Sequence, residues 1–377
     1  MASTRARSLM RLAASAALVV AVLPAHAAGR RPAAQVGFWA GETLTRCASV
    51  DACPRDLTAY TPALWEALRT AHGALYLNLV YPTDFGPGAT RNDALPLVRK
   101  ANALGVTVKA WLTVPVAEGT YANEDNADFQ GAAVKALDQW RRTNSVHVDE
   151  AVLDLELPLG YQAVLDATDP AKLAANRGPV DPAHQCASVR SYRATVAWAH
   201  QHHLTLSGSP VPFAIDDLAD GNLGLADLLD LGVPLPEYDH LYTQAYRTYS
   251  DTGPDYVAGY LTAMHHYFGK AGEVSLGDTS QGPPYSTADD LAQDVRLAVA
   301  LGATAIPIFD LDSTVSKFGA AGVKQILEAA QHPMSPAEVA AATANNPMTT
   351  ATKTFFAGLD AAASAASPSA NSWPIRC

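Results

Sequence analysis

Ala74-Leu-Tyr-Leu-Asn-Leu-Val80 is followed by Leu95 to Leu104 and then by Val106-Thr-Val-Lys-Ala-Trp-Leu112. The outer two stretches are short, apolar and rich in β-branched or aromatic residues, as strands are. The middle one sets Leu95, Leu97, Val98, Ala101 and Leu104 on one helical face. Strand, helix, strand is a crossover unit, and its two strands pair in parallel because the helix returns the chain to the same edge.

Working outward, the same alternation continues on both sides. Val36-Gly-Phe-Trp-Ala40 precedes it; Ala151-Val-Leu-Asp-Leu155, Leu204-Thr-Leu-Ser-Gly208, His240-Leu-Tyr-Thr-Gln244, Glu273-Val-Ser-Leu276 and Ala305-Ile-Pro-Ile-Phe309 follow. Helical patterns lie between them at Ala187 to His203 and Thr287 to Leu301, the second opening on the cap-like Ser286-Thr287-Ala-Asp-Asp. Eight such units between about Gln35 and about Ala330 predict an α/β fold, a (β/α)8 TIM barrel over residues 35–330. An open doubly wound sheet is the alternative, and no GxGxxG follows the first strand to favour it. Past Ala330 the chain turns rich in Ala, Ser and Thr, so residues 331–377 are expected as a C-terminal appendage packed on the barrel or a partly mobile tail.

The first residues read as an address. Arg5, Arg7 and Arg11 precede an apolar run, Leu12 to Leu23, that is too short to span a bilayer, and Ala25-His26-Ala27 offers a cleavage point. Residues 1–28 are therefore expected to be a signal peptide, with a membrane anchor as the competing reading. The mature protein is expected to be secreted or periplasmic, with no membrane association after cleavage.

Hydrophobic residues at 49% and charged residues at 17% exclude general disorder. A net charge of -11 with scattered basic residues argues against a nucleic-acid partner or an anionic membrane surface, and favours an uncharged or cationic substrate. Four cysteines in an exported chain point to disulfides. Cys47 with Cys53, and Cys186 with Cys377, is the preferred pairing of three. No CxxC or HxxxH spacing supports zinc.

Barrel function sits where strands end at the C-terminal face. The strongest cluster there is Val148-Asp-Glu-Ala-Val-Leu-Asp-Leu-Glu156 on the fourth strand. Side chains alternate along a strand, so Asp154 and Glu156 share one side and Asp149 takes the other parity. Two such carboxylates on a buried strand repel and desolvate each other, which keeps a proton on one of them near neutral pH. The bland alternative is a solvated acidic edge, or one carboxylate capping the following loop. The second cluster, Tyr238-Asp-His-Leu-Tyr-Thr-Gln-Ala-Tyr246, places Gln244 and Tyr246 on one parity at the sixth strand, where an amide and a phenol can hold sugar hydroxyls or amides. Trp39, Tyr81, Trp111, Tyr121 and Tyr285 stand at or past strand ends, where rings can stack on sugars or simply fill core.

These two segments together resemble glycoside hydrolase family 18, the chitinases and endo-β-N-acetylglucosaminidases. That family's fourth strand carries DxxDxDxE, against Asp149-Glu-Ala-Val-Leu-Asp-Leu-Glu156 here; in its plant-type and some bacterial branches the sixth strand has an aromatic-Asp start and a Gln-x-Tyr end, against Tyr238-Asp239 and Gln244-Ala-Tyr246. Gly37-Phe-Trp-Ala-Gly41 and Ser209-Pro-Val-Pro-Phe213 are weaker echoes. The resemblance implies that Glu156 protonates the leaving oxygen and that Asp154 orients the substrate's acetamido group, whose carbonyl oxygen attacks the anomeric carbon. It implies that Tyr246 helps hold that group, with Gln244 beside it, and that no metal or organic cofactor takes part. The substrate it implies is a polysaccharide or oligosaccharide containing β-linked N-acetylhexosamine.

The sequence departs from the family at two places. Val152 replaces the middle Asp, and the eighth strand ends Phe309-Asp310 where the family usually places a Trp. Two other readings follow: a non-catalytic carbohydrate-binding protein, or a glycosidase of another barrel family using Asp278 or Asp310 as second carboxylate. Asp310 is also a candidate substrate contact.

Overall fold

The computed structural model describes residues 34–41, 55–158, 181–219, 221–366 and 371–377. The expected signal peptide and the Cys47–Cys53 pair lie outside these residues.

Eight strands form one sheet: β1 (Gln35–Ala40), β2 (Ala74–Val80), β3 (Thr107–Thr113), β4 (Glu150–Leu155), β5 (Thr205–Pro210), β6 (Leu241–Gln244), β7 (Gly272–Ser275) and β8 (Ala305–Ile308). Each pairs in parallel with its sequence neighbour up to β7, and β8 pairs with β1. The last seam is bridged just past β7, where Leu276 N–H donates to Pro307 O (2.9 Å) and Phe309 N–H to Leu276 O (2.8 Å). The result is a nearly closed (β/α)8 barrel.

The helices follow from local signals. Before β4 come α1 (Pro62–Thr70), capped by Thr61, α2 (Ala94–Leu104), stopped by the left-handed Gly105, and α3 (Ala127–Thr143). Then come α4 (Pro182–Gln201), the short α5 (Pro212–Asp216) and α6 (Gly224–Leu228), and α7 (Pro254–Phe268). Next is α8 (Ala288–Ala300), whose cap Thr287 exchanges hydrogen bonds with Asp290 in a capping box. α9 (Leu311–Glu328) breaks at Gly319.

Strands buried on both faces read as continuous apolar runs. Their outward residues, such as Phe38, Leu75, Leu77, Leu153 and Leu206, join the helices in the main core. Their inward residues Trp39, Tyr76, Trp111, Val152 and Tyr242 fill the barrel itself. Gly37 is needed here: a Cβ on it would stand 2.8 Å from the Tyr76 ring.

Beyond residue 330 the chain forms α10 (Pro336–Ala342) and α11 (Pro347–Ala366). Leu359 and Ala363 of α11 pack on Phe213, Leu225 and Leu228. The segment 371–377 is pinned by Leu223 N–H to Asn371 O (2.8 Å), by Trp373 N–H to Gly221 O (2.9 Å) and by the expected Cys186–Cys377 disulfide. The described part of the appendage is thus packed against the barrel. Among the described residues no helix is long and apolar enough to cross a membrane.

Candidate active site

The period of two on β4 stacks its even-numbered residues up the barrel interior. Glu150 sits lowest, where Lys109 Nζ pairs with its Oε2 at 2.8 Å and Tyr242 OH donates to its Oε1 at 2.9 Å. Lys109 also donates to Tyr76 OH at 3.1 Å and Tyr242 OH at 3.3 Å. Burial alone would lower the Lys109 ammonium; Tyr76 and Glu150 outweigh it and hold the lysine above its ordinary range. Val152 lies one layer up among Trp39, Tyr76, Trp111 and Tyr242. Asp154 forms the top layer, and Glu156 follows directly after the strand.

At that level five strands converge, at the end of β4 or beside it. β6 delivers Gln244, whose Nε2 donates to Asp154 Oδ1 at 2.9 Å and to Glu156 Oε1 at 2.6 Å. β3 delivers Trp111, whose indole N–H donates to Asp154 Oδ2 at 3.0 Å. Trp39 from β1 packs edge-on to Trp111 at 5.3 Å, and its own N–H donates to Ser275 Oγ of β7 at 2.9 Å. Ser275 also meets Tyr246 OH at 3.4 Å. These groups enclose a small cavity of about 80 Å3, lined by Trp39, Trp111, Asp154, Glu156, Gln244 and Tyr246, with Tyr121, Tyr249 and Phe309 at its sides.

Burial, then the adjacent charge of Glu156, pushes the Asp154 carboxyl well above the ordinary carboxylate range. Burial likewise raises Glu156 to about 7, against the opposing pull of its bonds to Gln244 and Asp154. Near neutral pH the pair therefore retains a proton, as the strand parity predicts. Because both accept from one nitrogen, their facing oxygens lie closer than the ~6.5–9.5 Å that an inverting acid and base require around a water.

The structure brings Glu156, Asp154, Gln244, Tyr246, Trp39, Trp111 and Tyr121 together, and leaves the other candidates elsewhere. Asp310 turns its carboxylate onto Ser313 N–H (2.7 Å) and Ser313 Oγ (2.9 Å) as the N-cap of α9, outside the cavity lining. Asp278 accepts from Ser280 N–H at 2.7 Å and Gln281 Nε2 at 3.2 Å, also outside it. Tyr81 packs on Phe85 and Phe129. Tyr285 is fully buried and donates to Asp294 Oδ2 at 2.8 Å. Tyr238 and Asp239 fall at the opposite end of β6 from Gln244: Tyr238 is core, and Asp239 accepts from Leu206 N–H at 2.8 Å. Trp39 and Trp111 are almost wholly buried, so they form floor rather than open stacking platforms.

Tyr249 and Ser275 join the site without a signal in the sequence. Tyr249, 58% exposed at the cavity rim, sits in a short turn past β6 that no strand pattern marks. Ser275 orients Trp39 and Tyr246 across the interior, a relation that depends on strand register. Phe309, which stands out in the sequence only for the family's missing Trp, faces the cavity and stacks on Tyr246 at 5.8 Å.

No protein-family model matches this sequence, and no curated protein matches it. Similar solved structures include the PgaB (BpsB) glycoside hydrolase domain from Bordetella bronchiseptica, at 12% identity and TM-score 0.47, covering 78% of this chain and 99% of that one. A family GH18 chitinase from Cycas revoluta, solved with allosamidin, is similar at 12% identity and TM-score 0.46, covering 79% and 100%. A D-allulose 3-epimerase from Methylomonas sp. is similar at 11% identity and TM-score 0.43, covering 79% and 97%. Glycoside hydrolases of the GH18 and GH5 types recur among these neighbours. At such identities the likeness is one of fold, and a barrel serves many chemistries.

Proposed function

We propose that this chain is a glycoside hydrolase that cleaves β-linked N-acetylhexosamine-containing glycans with substrate-assisted retention. The observation that carries the reading is the coupled pair: Asp154 and Glu156 share one amide donor at the bottom of a cavity on the C-terminal face. They are the only carboxylates among the described residues lining that cavity. Their closeness argues against an inverting pair, and the resemblance on β4 and β6 supplies the rest.

In this reading, protonated Glu156 gives its proton to the glycosidic oxygen as the C–O bond breaks. The acetamido carbonyl oxygen of the same sugar bonds to the anomeric carbon, and Asp154 steadies the amide N–H as it gains positive charge. Glu156, now a carboxylate, takes a proton from water, whose oxygen displaces the acetamido oxygen from the same carbon. The enzyme returns to its starting protonation, and configuration is retained. Trp39, Tyr246 and Phe309 supply apolar walls, with Tyr249 at the rim. After export the enzyme acts outside the cytoplasm on a soluble or surface glycan.

Val152 favours a second reading, a carbohydrate-binding protein without turnover, because an apolar side chain stands where the resembled family has an acid. Incubating purified protein and its Glu156→Gln variant with a panel of N-acetylhexosamine glycans separates the two. Product release by wild type alone supports hydrolysis. Equal binding without cleavage by either makes it a lectin.

A further inference from the structure

We propose that Asn126 is a positioning residue: its amide clasps the loop after β3 into a strained turn that sets Tyr121 as a wall of the cavity and keeps water from the Asp154–Glu156 pair. The inference deepens the hydrolase reading and rests on it for its catalytic meaning, but the wall is a property of the protein alone.

Asn126 stands at the N-cap of α3, where an Asn side chain ordinarily accepts a hydrogen bond from the first turn of the helix. This one makes no such bond; it is buried and turned back onto the loop. Its Oδ1 accepts from Asn123 N–H at 3.0 Å, and its Nδ2 donates to Glu118 O and to Tyr121 O, each at 2.7 Å. These partners fix which end of the amide is which, since a backbone N–H only donates and a carbonyl only accepts. Asn123 brings a second donor to Tyr121 O, its Nδ2 at 2.8 Å. A Cβ on Gly119 would stand 2.8 Å from the Asn123 amide nitrogen and 3.3 Å from that of Asn126, so the clasp closes only over a glycine.

The clasped loop holds Thr120 at a φ of 63°, a left-handed backbone that a β-branched residue resists. The buried Thr120 hydroxyl finds no hydrogen-bond partner among the described residues, a second cost at the same position. Such costs persist only where the surroundings over-determine the conformation, and they gather at functional sites. Here the surroundings are the ends of two barrel strands. Thr120 O accepts from Val114 N–H at 2.9 Å, just past β3, and Ala122 N–H donates to Asp154 O at 2.7 Å, on β4. Between these anchors Tyr121 lines the cavity with Asp154 and Glu156. Burial is the first cause of the raised Glu156 carboxyl, ahead of its bonds to Gln244 and Asp154, and the Tyr121 wall contributes to that burial. Among the described residues the other titratable groups lining the cavity are Asp154, Tyr246 and Tyr249.

The test is 13C NMR of the full chain carrying carboxyl-labelled Asp and Glu, titrated from about pH 4 to about pH 9, with the pair read as one coupled unit. Resonances are assigned by their loss in Asp154→Asn and Glu156→Gln. Asn126→Ala removes the clasp, so Thr120 should relax and Tyr121 should leave the wall. The pair's titration should then fall by about one pH unit or more as water reaches it. The alkaline limb of kcat/KM should move down with it, and KM should rise about threefold or more. Rescue separates positioning from mere loss of structure. Glycine takes the left-handed backbone without steric cost, so adding Thr120→Gly to Asn126→Ala should return the titration most of the way to its wild-type place. A titration unmoved in Asn126→Ala, or not restored in the double variant, overturns the proposal, and the double variant decides if Asn126→Ala does not fold. The expected shifts in a protein that cleaves no glycan support the wall while sinking the hydrolase reading; turnover with an unmoved titration does the reverse.

Discussion

Asp154 and Glu156, one at the end of β4 and the other just past it, accept from the same nitrogen of Gln244. A single amide thus ties together two groups that each resist ionisation, and their assigned roles can be separated by substitution. Glu156→Gln keeps shape and loses only the transferable proton, so kcat should fall by about 10²–10⁴ with glycan binding retained. Asp154→Asn should cost a smaller factor, since it disturbs orientation while leaving the proton donor. Asp278→Asn and Asp310→Asn should be mild, because Asp310 caps α9 and Asp278 is bonded within its own loop. Steady-state kinetics of the four variants on one substrate checks all of this; loss of turnover in either of the last two would require a second protein carboxylate.

The raised Glu156 fixes the alkaline side of the rate profile. A general acid works only while protonated, so kcat/KM should decline as pH rises through about 7. A profile flat to well above that value would show that another group limits the rate.

The same carboxyl makes a stability forecast of definite sign. Its folded value, about 7, exceeds its ordinary 4.5, so the folded state binds the proton more tightly. That contribution is complete below about 4.5 and is lost as pH rises to about 7. Glu156→Gln, which carries no charge to bury, should therefore gain in Tm relative to wild type as pH is raised across this window. Thermal melts of both proteins in matched buffers give the comparison; a difference that does not change with pH refutes it.

Under the cavity, the Lys109–Glu150 pair is shielded from water on both partners. Lys109→Met should destabilise by about 3–5 kcal/mol, because it strands a buried carboxylate. Adding Glu150→Gln should recover part of the loss. Urea denaturation of the single and double variants measures it.

The Cys186–Cys377 bond spans 191 residues of sequence and clamps the 371–377 segment against α4. Replacing both cysteines by serine should cost about 2–4 kcal/mol. Limited proteolysis should then clip the segment first, leaving the barrel intact.

The barrel strands are legible because strands buried on both sides need apolar residues at every position, and runs such as 74–80 and 151–155 are too brief for crossover helices. Asp154 and Glu156 are legible because parity along one strand is a property of that strand alone. Trp111 stands out in the sequence only as a ring at a strand end. That its N–H reaches Asp154 depends on the register between β3 and β4, which no single segment encodes. Asp310 misleads for the opposite reason. A polar residue after a barrel strand suggests chemistry, yet Asp310 followed by Ser313 at the start of an apolar helix is also a cap signature, and the cap is what forms.

The floor built by Tyr76, Tyr242, Lys109 and Glu150 fills the barrel interior beneath the cavity. A polymer therefore cannot be threaded through the barrel. In the proposed hydrolase, departure of the cleaved fragment and arrival of the next chain would then both take place on the face that carries Tyr249. Turnover on long glycans would be governed by traffic at that mouth, past Tyr249, as much as by the proton on Glu156.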